Sequence, residues 1–434
     1  MTKTTQLALW PIDKVQEEKD TDRATTTFID NMKLPVHGWF RFSAGFSAEW
    51  IEAVIRDVNL SKEAVLFDPF AGSGTTVLAG ETAGIKSIGL EAHPFVYRVA
   101  NAKLHWDSNV NDFRDLAHHV LKAAKNNRTN SQLAYPPLIH KCYPDEALSK
   151  LDALKTTWEI YEDNSNISEL VWLALTSVLR VSSPVGTSNM ELIQPKKRKS
   201  NNLDPFDAFT LKVDSMYKDM LTRQNMVEQS KALIYNDDAR ICDTISTNFV
   251  DMVITSPPYA NNFDYADATR LEMTFWNEIQ GWKDLQPKIR KHLIRSCTQH
   301  VSAEKIDLLD LLSDPDLDPI RDELEPICKK LGEIRLQRGG RKNYHRMVAA
   351  YFSDLAKVWK ALRRVCKTNS LVCFVIGDSA PYGIYVPVDR WLGELAIAAG
   401  FDNYSFEKTR DRNIKWKNRK HSVLLKEGRL WVKG

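Results

Sequence analysis

The chain reads as an α/β protein: a mostly parallel sheet flanked by helices, closed by an antiparallel terminal hairpin and interrupted by helical insertions. Three observations predict this. Short apolar runs that stop on an acidic residue recur at 63–68 (EAVLFD) and 86–91 (KSIGLE). The glycine-rich AGSGTT and the helically spaced VLAGETAG lie between them, as the strand, turn and helix of a β-α-β unit require. Further strand-like pulses at 231–239 (KALIYNDDA) and 250–259 (VDMVITSPPY) follow only after a long stretch of helical periodicity.

The remaining elements follow in order. From about 104 to 230 the pattern is helical, as in DFRDLAHHVLKAAK and SELVWLALTSVLR, with the polar stretch QPKKRKSNN reading as a flexible basic loop. A second charged, helical stretch covers about 262–343. The amphipathic HRMVAAYFSDLAKVWKALRRV then predicts a long helix, NSLVCFVIGD a buried strand, and the segment from 400 onward two strands joined by a long basic loop. The division is thus 1–34 as an N-terminal extension, 35–104 as the ligand-binding half of the core, 105–230 as a helical insertion suited to target recognition, 231–261 as the strand and SPPY loop, 262–343 as a second helical insertion, and 344–434 as the C-terminal part of the core.

Composition bounds the function. At 434 residues the chain exceeds one typical domain, so a core of about 200–250 residues carrying insertions is expected. No apolar run approaches the roughly 20 residues of a membrane-spanning helix. The N-terminal stretch contains Lys14, Glu17, Glu18, Lys19 and Asp20 and does not read as a secretory signal, so a cytoplasmic protein is expected. Six cysteines without a CxxC pair or a His/Cys cluster at ligand spacing argue against disulfides and against a metal site. Net charge is only +3, but cations are grouped: Lys196, Lys197, Arg198 and Lys199; Arg335, Arg338, Arg341 and Lys342; and Lys408, Arg410, Arg412, Lys415, Lys417, Arg419 and Lys420. Their placement in loops suggests contacts to nucleic-acid phosphates.

In an α/β sheet, ligands bind at the carboxyl ends of strands. Asp68, Pro69, Phe70, Gly72, Gly74, Thr75 and Thr76 lie at such an end. The glycines admit close backbone approach, and Asp68 offers a carboxylate to an amino-acid ammonium. Glu91 is placed to accept the ribose hydroxyls of an adenosine, and Asp237 or Asp238 to hold its adenine amine. No Lys follows Gly74, which excludes a phosphate-gripping P-loop.

The full string DPFAGSGTT resembles the S-adenosylmethionine-binding motif of DNA amino-methyltransferases, and TSPPY resembles the catalytic motif of the cytosine-N4 and some adenine-N6 members. The upstream VHGWFRFSAGFSAEWIEAVI is similar to the short helix that precedes that motif in those enzymes and contacts the cofactor, which adds Phe46 to the expected contacts, although by residue type Phe46 and Trp39 read as packing residues. The resemblance implies a Rossmann-like methyltransferase sheet, S-adenosylmethionine as cofactor, and DNA, double-stranded for preference, as partner. An exocyclic base amine is a poor nucleophile because its lone pair is delocalised into the ring. Acceptors for its hydrogens assist attack on a methyl group, and the Ser256 hydroxyl and Pro257 carbonyl can be those acceptors. Pro258 stiffens the loop, and Tyr259 can stack on an extruded base. ANNFDYADATRLEMTFW resembles a branch of bacterial DNA modification methylases, which implies that Asn261, Asn262, Asp264 and Tyr265 line the pocket mouth.

Serine at the head of SPPY leans toward cytosine N4, where adenine enzymes more often carry Asp. The cofactor motif precedes the catalytic one, the reverse of many cytosine-N4 enzymes, which keeps adenine N6 and an RNA base amine such as guanine N2 open as targets. No Pro-Cys pair follows the fourth strand, which disfavours cytosine C5. A catalytically silent DNA-binding subunit is the alternative from another class.

Overall fold

The computed structural model describes residues 30–42, 45–126, 134–188, 192–227, 232–261, 263–304, 306–412 and 423–434. Among these residues nine strands form: β1 (Val65–Asp68), β2 (Lys86–Leu90), β3 (Val185–Thr187), β4 (Ile193–Arg198), β5 (Ala232–Tyr235), β6 (Val250–Thr255), β7 (Cys366–Gly377), β8 (Asn403–Arg412) and β9 (Leu425–Lys433). Seven make one sheet in the order β5-β2-β1-β6-β7-β9-β8. Its first five are mutually parallel, and β9 runs antiparallel to both β7 and β8. The predicted mostly parallel sheet with an antiparallel close is therefore present. All four residues of β1 are buried, as are five of the six of β6, because helices cover both faces of a parallel sheet.

From β1 the chain first builds outward through β2 to β5, then crosses back to β6 and builds the other way. The reversal leaves a crevice at the carboxyl ends of β1 and β6, where ligands of open α/β sheets bind.

Two large apolar cores flank the sheet, beside a smaller one that holds Phe46, Leu66 and Ile254. One gathers the helices Val110–Asn126, Asp145–Tyr161, Asn166–Ser182 and Pro205–Met226 with Val77 and Leu78 behind the first turn. The other gathers the helix Tyr344–Val365, where Trp359 stacks on Phe374 at 4.4 Å, with residues from 294 to 331. Residues 266–289 pack into the first core, so the stretch 262–343 contributes to both. A buried hub fixes the first insertion: Glu81 accepts from Arg223 at 2.7 Å and from the Trp106 indole at 2.9 Å.

One element differs from the sequence reading. The basic stretch expected as a flexible loop is β4, paired with β3 as a two-stranded antiparallel ribbon. Four of the six residues of β4 are exposed, so it carries none of the apolar alternation that marks a half-buried strand.

Candidate active site

The first turn is built by glycine. Gly72 (φ +53°) and Gly74 (φ +89°) occupy the left-handed region, which bends the chain from β1 into the helix Thr75–Thr82. A Cβ on Gly72 would stand 3.1 Å from the Phe42 ring. Asp68, 1% exposed, is held by neutral donors only: the Phe70 N–H at 3.0 Å and the Thr255 and Thr76 hydroxyls at 2.5 Å each. Because Thr255 ends β6, this carboxylate joins the first turn to the segment that carries Ser256. The Thr76 hydroxyl also lies 3.4 Å from the Ile254 carbonyl. Burial without a cation raises the Asp68 pKa to about 6.

Glu91 stands next to it. Its two oxygens accept from the N–H groups of Gly72 (2.9 Å) and His93 (2.8 Å). Burial, then the charge of Asp68, raise its pKa to about 7, against backbone hydrogen bonds that lower it. Asp237 accepts from the Thr244 N–H and hydroxyl at 2.9 and 2.8 Å, while Asp238 pairs with Arg240 at 2.6 Å. Both members of the expected adenine-binding pair are thus engaged by the loop that follows β5.

The SPPY segment leaves β6 beside β7. The Ser256 hydroxyl reaches the Val375 carbonyl at 3.3 Å and also bonds to Tyr259, and the Ser379 hydroxyl holds the Ala260 carbonyl. The Tyr259 N–H donates to the Tyr265 phenol oxygen, and Tyr265 meets Phe263 edge to face at 4.6 Å. Ser256, Pro258, Tyr259 and Tyr265 are half-buried, as are Phe70, Gly72 and Glu91 of the neighbouring turns, while Pro257 is buried. Sequence reasoning therefore named residues that the fold brings to one rim.

Several expectations are corrected. Phe46 is buried against Trp50 at 5.5 Å, in a core shared with Leu66 and Ile254, and it is Phe42 that faces Gly72. Trp39, read from the sequence as a packing residue, is buried, its indole bonded to Asp219 at 2.9 Å. Asp264, expected at the pocket mouth, is buried in an ion pair with Arg290 at 2.5 Å. Asn261 is exposed, and its side-chain oxygen accepts from the Phe263 N–H at 3.1 Å; Asn262 lies outside the described residues. Arg412, expected on DNA phosphates, sits with its guanidinium 5.1 Å from the Tyr259 ring centroid, donating to the Asp378 carbonyl at 3.0 Å. Pairing of β8 with β9 and of β9 with β7 carries it to the carboxyl end of β7.

The third basic group is otherwise split. Lys408 and Arg410 lie on β8 in ion pairs with Asp411 and Glu427, whereas Lys415, Lys417, Arg419 and Lys420 lie outside the described residues. Arg335 ends a helix, and Arg338, Arg341 and Lys342 are exposed in the turn after it. Lys196, Lys197 and Arg198 are exposed on β4, and Lys199 donates to the Arg180 carbonyl at 2.7 Å.

Sequence reasoning missed three features. Lys103 is buried beneath the first turn and donates to the carbonyls of Ser73 (3.2 Å) and His37 (3.1 Å); burial lowers its pKa to about 7. His93, buried with its pKa lowered to about 3 by burial, bonds Thr269 at 3.0 Å and so links the end of β2 to the chain beyond Tyr265. Asp264, Cys297 and His300 bring potential ligand atoms within 4.8 Å of one another, a grouping dispersed in the sequence. Arg290 already balances Asp264, so a cation there would compete with a guanidinium.

A parallel sheet with this strand order, a glycine turn at its switch point and an SPPY loop on the next strand define a Rossmann-like methyltransferase. The family model described as DNA methylase, of the N6/N4 type, matches residues 2–102. The Type II methyltransferase M.BsoBI of Geobacillus stearothermophilus is 26% identical over 430 residues, covering 89% of this chain and 82% of its own length. The Type II methyltransferase M.AvaI of Nostoc sp. is 24% identical over 416 residues, covering 90% and 84% respectively, with the same figures for M.AvaI of Anabaena variabilis. The chain is thus similar over most of its length to Type II methyltransferases, and over residues 2–102 to the N6/N4 DNA methylase family.

Proposed function

We propose that this chain methylates the exocyclic N4 of cytosine in double-stranded DNA at a defined sequence, as the modification partner in a restriction-modification or defence system. The family's donor, S-adenosylmethionine, supplies an electrophilic sulfonium methyl when bound. The turn at β1 suits it chemically: Asp68 is a buried carboxylate bonded to neutral donors and thus open to a cationic amino-acid group. Gly72 keeps the approach free of a side chain, with Pro69, Phe70, Gly74, Thr75 and Thr76 shaping the turn, and Glu91 is the acceptor for ribose hydroxyls.

Ser256 and the Pro257 carbonyl accept the amine hydrogens and draw the target nitrogen toward a tetrahedral geometry. Pro258 limits the loop, and the half-buried Tyr259 ring is the platform for the extruded cytosine. Tyr265, which accepts from the Tyr259 N–H, fixes that platform's backbone. The single observation that carries the reading is the Asp68–Thr255 hydrogen bond, since it fixes the cofactor turn against the strand that delivers Ser256.

The test is to incubate the protein with unmodified plasmid and labelled S-adenosylmethionine, digest the DNA to nucleosides and identify the labelled one by mass spectrometry. N4-methylcytosine is the expected product. N6-methyladenine would assign the adenine branch, and cofactor binding without label in any DNA or RNA nucleoside would favour a silent subunit.

A further inference from the structure

We propose that a groove on the first insertion, between the β3–β4 ribbon and the helix Pro137–Cys142, seats the sugar-phosphate backbone of the duplex substrate. The groove has a volume of about 580 Å³ and is lined by His140, Lys141, Gln194, Pro195, Lys196 and Arg198. The pairing of β4 with β3 jumps from Gln194, opposite Gly186, to Arg198, opposite Val185, so residues 195–197 bulge from the ladder, and Pro195 and Lys196 of this bulge line the groove with Gln194 and Arg198. Two residues of chain, at most about 7 Å when extended, separate Lys196 from Arg198, which puts both within reach of neighbouring phosphates.

The cations are uncompensated. Among the described residues no carboxylate pairs with Lys141, Lys196 or Arg198, and residues 192–202 contain four cations and no acid. In the second insertion residues 304–333 carry ten carboxylates against four cations, and its ion pairs include Arg321–Asp318, Lys329–Glu325 and Arg390–Glu323. Such a surface repels a polyanion, whereas free cations gain by releasing the counterions of DNA.

The groove is also tied to the catalytic segment. Lys199, directly after β4, donates to the Arg180 carbonyl; the Arg180 guanidinium bonds Glu272 and the Ala268 carbonyl, each at 2.5 Å. Ala268 lies three residues beyond Tyr265. A duplex held in the groove is thereby registered against the rim that carries Tyr259.

The proposal rests on the duplex-DNA reading above. Its test measures binding of a fluorescent mixed-sequence duplex from about 50 to 200 mM salt, for the full-length protein and two triple variants. In Lys141→Gln/Lys196→Gln/Arg198→Gln the slope of log affinity against log salt becomes shallower by about one per cation removed, and affinity at low salt falls on the order of tenfold or more. S-adenosylmethionine affinity stays at the wild-type value, which shows the variant folded. Wild-type slope and affinity in this variant, or a larger loss in Arg338→Gln/Arg341→Gln/Lys342→Gln, overturns the assignment. A loss confined to single-stranded RNA would assign the groove to that ligand and overturn it equally. If the wild-type protein neither binds nor methylates duplex DNA, it is the underlying reading that fails.

Discussion

The end of β1 buries Asp68 and the segment after Tyr259 buries Asp264, and the two carboxylates are balanced in opposite ways. Asp68 is held by two hydroxyls and an amide, with no cation in contact, and its pKa rises to about 6. Asp264 is just as hidden but is neutralised by the Arg290 guanidinium, which also lies 5.2 Å from the Trp282 ring. A carboxylate without a counter-charge in a low-dielectric site is costly to ionise, and a cationic ligand relieves that cost. A carboxylate already paired with arginine has nothing further to offer a ligand and acts instead as a bolt between chain segments. On the proposed function, this difference separates a binding residue from a structural one where residue type does not.

The largest expected effect falls on the bolted side. Asp264→Ala leaves Arg290 buried and unpaired, which costs about 3–5 kcal/mol, read as a lowered midpoint in chemical denaturation, while S-adenosylmethionine affinity of the folded fraction stays the same. Asp68→Asn has the opposite profile. Its folded stability holds, because the amide removes a charge that the fold ionises only at a cost. Cofactor affinity drops by roughly tenfold to a hundredfold, from the loss of a charged hydrogen bond of about 1.5–3 kcal/mol, measured by calorimetry. Equal stability and affinity changes in the two variants would erase the comparison.

Tyr259 gives a test of similar or smaller size. Tyr259→Ala slows methylation by about tenfold to a hundredfold, as loss of one base-aromatic stack predicts, with cofactor affinity unchanged. Arg412 is expected to act through that ring, since its guanidinium lies over it. A cation–π contact of about 0.5–1 kcal/mol predicts a severalfold loss for Arg412→Met in the wild-type background and little further loss in Tyr259→Ala. Additive losses in the double variant would return Arg412 to a direct role on DNA.

Much of this is legible in the sequence. Apolar runs ending in acids placed β1 and β2, and the proline pair after VDMVIT placed the loop beyond β6, because buried strands and turns carry strong local signals. The partner of a buried side chain carries no such signal. Nothing near Asp264 in sequence announces Arg290, and nothing near Tyr259 announces Arg412, which a hairpin at the far end of the chain delivers. The strand at 193–198 escapes sequence reasoning for a different reason, since a mostly exposed, basic strand looks like a loop. Phe42 and Phe46 flank one short stretch, and only its path decides that Phe42 meets Gly72.

The claim on which the rest depends is that Asp68 gives its charge to the cofactor. With the Asp68 pKa about 6 and that of Glu91 about 7 in the unliganded protein, both are partly protonated below pH 7 and must ionise to bind. Affinity for S-adenosylmethionine therefore rises with pH through this window and levels off above it, with protons released on binding. Calorimetry near pH 6.5 in two buffers of different ionisation enthalpy counts those protons: the wild-type protein should release them, and Asp68→Asn should release fewer. Equal proton counts for the two proteins, or affinity independent of pH, would contradict the account.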